Sequence, residues 1–83
     1  MSTAIALQSD TTWLRLPHYD VAPLNVRVAG TVPEVELALG CGVPAYPDAN
    51  RENFYDIELP TGWAYIHVHD DKQTVYVVAY SVA

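Results

Sequence analysis

The chain has 83 residues, of which ten are acidic and four basic, giving a formal net charge of −6 at pH 7. That length fits one small domain with a limited core, and an apolar content of 51% argues against a disordered chain. Four cations (Arg15, Arg27, Arg51 and Lys72) are too few to build the basic patch that a nucleic-acid backbone requires, so no direct nucleic-acid contact is expected.

No apolar run approaches the roughly 18 residues of a transmembrane helix, and the opening MSTAIALQSD has neither a basic nor a long apolar region of the signal-peptide kind. Cys41 is the single cysteine, which rules out an internal disulfide and fits a reducing compartment. The expectation is a cytoplasmic protein with no membrane contact. The acidic balance favours a basic partner, or simply solubility.

In chain order, TAIALQ (Thr3 to Gln8) and TTWLRL (Thr11 to Leu16) read as a hairpin around Ser9-Asp10. In that pairing Ile5, Leu7, Thr12 and Leu14 share one face, with Trp13 and Arg15 on the other. Pro17 to Asp20 reads as a loop, because proline removes a ladder donor and biases its predecessor away from helix. Leu24 to Ala29 alternates apolar with polar and reads as a strand. Thr31 and Glu34 form a capping-box pattern, with Pro33 acceptable in a first turn and Gly40 as a stop. Val32 to Leu39 therefore reads as a short helix, although Val35, Leu37 and Leu39 also alternate as a strand would. Gly40 to Asn53, with two prolines and two glycines, reads as the longest loop, with room for one helical turn over Asp48 to Asn53.

Phe54 to Val82 carries the strongest pattern, that of a three-stranded antiparallel meander with turns at Thr61-Gly62 and Asp71-Lys72. In that register Leu59 faces Ala64, Ile57 faces Ile66 and Tyr55 faces Val68. Across the second turn Val68 faces Val75, Ile66 faces Val77 and Ala64 faces Ala79. Side chains alternate along a strand, so these residues form one aliphatic surface. The other surface collects Phe54, Asp56, Glu58, Trp63, Tyr65, His67, His69, Thr74, Tyr76, Val78 and Tyr80, with Asp56 and Tyr76 flanking His67. The fold expectation is α+β: a single antiparallel sheet of five or six strands with one short helix on one face.

His67-x-His69 is the sharpest chemical candidate, because a strand projects both imidazoles from one face about 7 Å apart. With Asp56 as a third ligand the set is a weak metal candidate. Cupin-type sites also use His-x-His, but with a later glutamate that this chain lacks. An Asp56–His67 dyad would be a general-base arrangement, yet no nucleophile or pocket accompanies it, and Cys41 is more simply read as a small buried filler. No cofactor motif is present, and the chain is read as non-enzymatic.

The aromatic set is the stronger signal, since one short helix covers only one sheet face, and exposed Tyr and Trp patches mark interfaces. The candidate protein interface is Trp63, Tyr65, Tyr76, Tyr80, Asp56, Glu58, Asp70 and Asp71. A competing reading has the N-terminal hairpin, with Trp13, cover that face as a second core. Edge-strand pairing into a homodimer is compatible with either. In size and charge, though in no motif, the chain resembles small acidic phage-encoded antagonists, including some anti-CRISPR proteins. That resemblance implies carboxylates that occupy a basic, nucleic-acid-handling protein partner.

Overall fold

The computed structural model describes residues 11–82. Six strands form one sheet: β1 (Thr12–Leu14), β2 (Asp20–Pro23), β3 (Val43–Pro47), β4 (Phe54–Leu59), β5 (Gly62–His69) and β6 (Thr74–Val82). A 3-10 helix (Val26–Thr31) runs directly into an α-helix, α1 (Val32–Cys41), between β2 and β3. The spatial order is β1-β3-β4-β5-β6-β2, antiparallel throughout except for the parallel pair of β2 with β6. The architecture is α+β, with the C-terminal meander at its centre.

Parity along the strands divides the sheet. Ile57, Leu59, Ala64, Ile66, Val68, Val75 and Val77 are buried on one face, where Val35 and Leu39 of α1 and Val28 of the 3-10 helix join them. Full burial of an aliphatic side chain contributes about 1.5–3 kcal/mol, so this layer is the main source of stability. α1 starts where the sequence places it, with Pro33 in the first turn, but it runs through the expected stop at Gly40 and ends at Gly42, whose φ of 99° strongly favours glycine. Thr31 makes no side-chain cap of α1; its hydroxyl donates instead to the Val28 carbonyl at 2.7 Å.

The meander holds its faces but shifts one register. Leu59 pairs with Gly62, so the first turn is Pro60-Thr61, and Ile57 faces Ala64 while Asp56 faces Tyr65. The displacement is two residues, an even number, so every side chain stays on its face. Gly62 fixes this position: a Cβ there would lie 2.1 Å from the Ser81 carbonyl oxygen. The second hairpin keeps its expected pairs, Val68 with Val75, Ile66 with Val77 and His67 with Tyr76. A bulge between Tyr65 and Ile66 then pairs Ala64 with Tyr80 rather than Ala79. Tyr80 is thereby turned to the core face, where its hydroxyl meets Thr61, which in turn donates to Glu34 of α1.

Several other expectations are corrected. Leu24 to Ala29 is not a strand: the Asn25 side chain accepts from the Arg27 amide at 2.9 Å and starts the 3-10 helix. Of its apolar residues only Val28 is buried, while Leu24 and Val26 are exposed, so local capping overrides the alternation. Pro17 to Tyr19 is a loop as expected, but Asp20 joins the unassigned Val21 to Pro23 in β2, which borrows its order from β6 through Val21 opposite Val75. Part of the long loop is β3, whose Ala45 is fully buried opposite Ile57, and the Asp48–Asn53 segment holds no helical turn. Cys41 is exposed, not buried filler.

In the N-terminal hairpin, Thr3 to Gln8 lies outside the described residues. Its second arm contains β1, which pairs with β3 at the sheet edge.

Gly62→Ala is expected to destabilise the fold by about 1–3 kcal/mol through overpacking against β6. Gly30→Ala, whose Cβ would meet nothing within 4 Å, serves as the control. Urea unfolding followed by circular dichroism checks the contrast, and equal midpoints for the two variants would contradict the Gly62 packing.

Candidate functional site

The face of the sheet opposite α1 carries the polar and aromatic set. Among the described residues no helix or strand packs over it. Its two ends differ, because Trp63 and His69 lie six positions apart along β5, about 20 Å at strand rise.

At the first end Trp63 stands opposite Glu58 on β4, and Tyr46 on β3 stands opposite Asp56. The Tyr46 and Trp63 rings meet at 5.7 Å. Both are 37% exposed, and Trp13 is 64% exposed farther along the same face, with its ring lying against Gly42. Trp13 therefore occupies the edge of this face and leaves its centre open. Asp56 is held above the usual carboxylate range, chiefly by partial desolvation and secondarily by the charge of Asp48. Asp48 is itself held low, first by the Tyr65 hydroxyl that donates to it, then by the Asn50 amide at 2.8 Å. The same hydrogen bond holds Tyr65 above the usual phenol range.

At the second end the rings form a ladder across β4, β5 and β6. Phe54 stacks on His67 at 3.9 Å with planes 9° apart, His67 meets His69 at 4.0 Å, and His69 meets Tyr76 edge-on at 5.1 Å. His67 Nδ1 and His69 Nε2 are 3.0 Å apart and share one hydrogen bond. Either tautomeric arrangement of two neutral rings leaves the pair one free N–H donor and one free acceptor. Desolvation, then the neighbouring His69 and Arg51, pushes His67 below the usual imidazole value. The Arg51 guanidinium sits 5.0 Å from the Phe54 ring centre, a cation–π contact. These groups, with Leu24 and Val78 as apolar margins and Lys72 at the rim, line a groove of about 390 Å³.

Of the interface residues read from sequence, Trp63, Tyr65, Asp56 and Glu58 gather at one end and Tyr76 lies at the other. Tyr80 is on the core face because of the bulge. Asp70 and Asp71 lie in the β5–β6 loop, with Asp70 accepting from the Tyr19 hydroxyl at 2.7 Å. His67 stands opposite Phe54 rather than Asp56, so its hydrogen-bond partner is His69 and the Asp56–His67 dyad is not formed. Among the described residues no three His, Cys, Asp or Glu side chains gather as a metal set, and Cys41 ends the helix on the opposite side of the sheet. The sequence alone does not mark Tyr46, Asp48, Arg51 and Lys72 as site residues. For Tyr46 the signal was present in the alternation of Val43, Ala45 and Tyr46, masked by Pro44 and Pro47. No protein-family model, curated protein or solved structure matches the chain.

The depressed His67 has a pH consequence. Below the ordinary imidazole value of 6.5 the unfolded chain takes up a proton that the folded site resists. Stability is therefore expected to fall as pH drops from about 6.5 through the lowered His67 value, and to lose no more from this residue below it. His67→Phe, which keeps the stack on Phe54, is expected to flatten that segment of a melting-temperature profile. An unchanged slope between pH 7 and 5 would show that His67 is not its source.

Proposed function

We propose that this protein is a non-enzymatic protein-binding module that docks a basic protein surface on the outer face of its sheet. The observation that carries the reading is the first end of that face, where Trp63, Tyr46 and Trp13 stand exposed beside Asp56 and Glu58. Exposed indole and phenol rings bury large area at low entropic cost, which makes them effective anchors in interfaces. The carboxylates around them steer and orient a cationic partner, while the net charge of −6 extends that attraction over a longer range. The most concrete form is an inhibitor that occupies a basic, nucleic-acid-handling surface of its partner.

The raised Asp56 supports the same reading. A carboxylate whose charged form is disfavoured in the free protein gains when a cation arrives beside it. Its cost to the free fold is a stability lost as pH rises through the carboxylate range and fully lost at neutral pH.

Affinity capture on the immobilised protein tests the proposal. A retained partner should be released by raised salt and should present a basic surface. Trp63→Ala is expected to weaken it by about tenfold or more, and Asp56→Asn with Glu58→Gln to slow its association and reduce its salt dependence. Capture of no protein, or retention indifferent to all three substitutions, would overturn the reading.

A further inference from the structure

The groove at the second end of the outer face has the opposite electrostatic character from the first. Ten of the residues are acidic and four basic. Yet two of the four cations, Arg51 and Lys72, line this groove and no carboxylate does. Lys72 makes no ion pair or hydrogen bond through its ammonium with any described residue. Arg51 also acts on Asp48 and Tyr65 beside the groove, but no carboxylate lines the groove itself, and such a cation-bearing lining on an acidic protein is complementary to an anion.

The walls define the rest of the ligand. Phe54 and His67 stack on one another and Tyr76 stands edge-on to His69, so the groove is walled by a row of aromatic rings. Its volume of about 390 Å³ falls in the range of small-molecule sites, and the ring ladder holds the walls in place without a ligand. The imidazole pair keeps one N–H donor free in either tautomer, so the groove lining includes a neutral hydrogen-bond donor as well as the two cations. An aromatic ring laid on these walls would carry an acidic substituent towards Arg51 and Lys72.

We propose that this groove is a binding site for a small planar aromatic carboxylate, whose ring packs among Phe54, His67 and Tyr76 and whose anionic end lies between Arg51 and Lys72. The site is separate from the acidic end that docks a protein, and stands or falls independently of it. The ligand is one that the acidic surface at large would repel, which makes the groove selective within its own molecule.

The test is a titration of the isotope-labelled protein with 2-naphthoate, followed by amide and imidazole resonances, with 2-naphthamide as the neutral isostere. The acid is expected to bind saturably, with the largest shifts at Phe54, His67, His69 and Tyr76. The amide should bind about tenfold more weakly or less, because it lacks the charge that the two cations select. Lys72→Gln and Arg51→Gln are each expected to weaken the acid several-fold and to leave the amide unchanged. Lys72 lies on an exposed loop, and the spectrum itself reports that each variant is folded. Absence of saturation by about 10 mM, equal affinity for acid and amide, or shifts centred outside the groove would each overturn the proposal.

Discussion

The packing of α1 on the aliphatic side of β4, β5 and β6 is the interaction on which the rest depends. One helix of ten residues can cover one face of a six-stranded sheet, and Val35 and Leu39 commit it to the side of Ile57, Ile66, Val75 and Val77. The alternation of side chains then forces the rings and charges of the same strands onto the other side. The aromatic outer face is thus a by-product of how the core is made. Any substitution that moved the helix would change both surfaces at once.

The outer face is divided as well. Its acidic, tryptophan-bearing end and its cationic, histidine-bearing end share β4 and β5, and the bulge at Tyr65 lies between them. By taking Tyr80 out of the outer face, the bulge leaves the small Ala79 opposite Tyr65, so the aromatic surface is interrupted rather than continuous. The two ends can consequently differ in charge without crowding each other. Asp48 and Tyr65 join the two ends, because the Tyr65 hydroxyl donates to Asp48 while its ring stacks on Phe54 at 5.5 Å.

The meander was legible because its signal is parity, and parity survives an error of two residues. Ile57 and Val68 were assigned to the core whichever turn joined the strands. The helix was legible for a different reason, since Pro33 and the run of Glu, Leu and Ala favour it locally. What escaped notice depends on partners distant in sequence. Asp20 to Pro23 has little strand character alone and is ordered by parallel pairing with Thr74 to Val77. Val43 to Pro47 carries two prolines that argue against a strand, yet it has neighbours on both sides. At the site, the pairing of His67 with His69 and the gathering of Arg51 and Lys72 depend on loop paths and rotamers that no spacing encodes. The bulge that removes Tyr80 from the outer face likewise has no local mark in the sequence.

Both tryptophans of the chain, Trp13 and Trp63, lie on the outer face and neither is in the core. The intrinsic fluorescence of the folded protein therefore combines a largely solvated indole, Trp13, with a partly shielded one, Trp63, which rests on Tyr46. Unfolding exposes Trp63 and shifts the emission to the red, whereas a molecule laid over the sheet shifts it to the blue. This arrangement gives the protein a built-in optical reporter whose emission moves in opposite directions on unfolding and on occupancy of the face where binding is proposed.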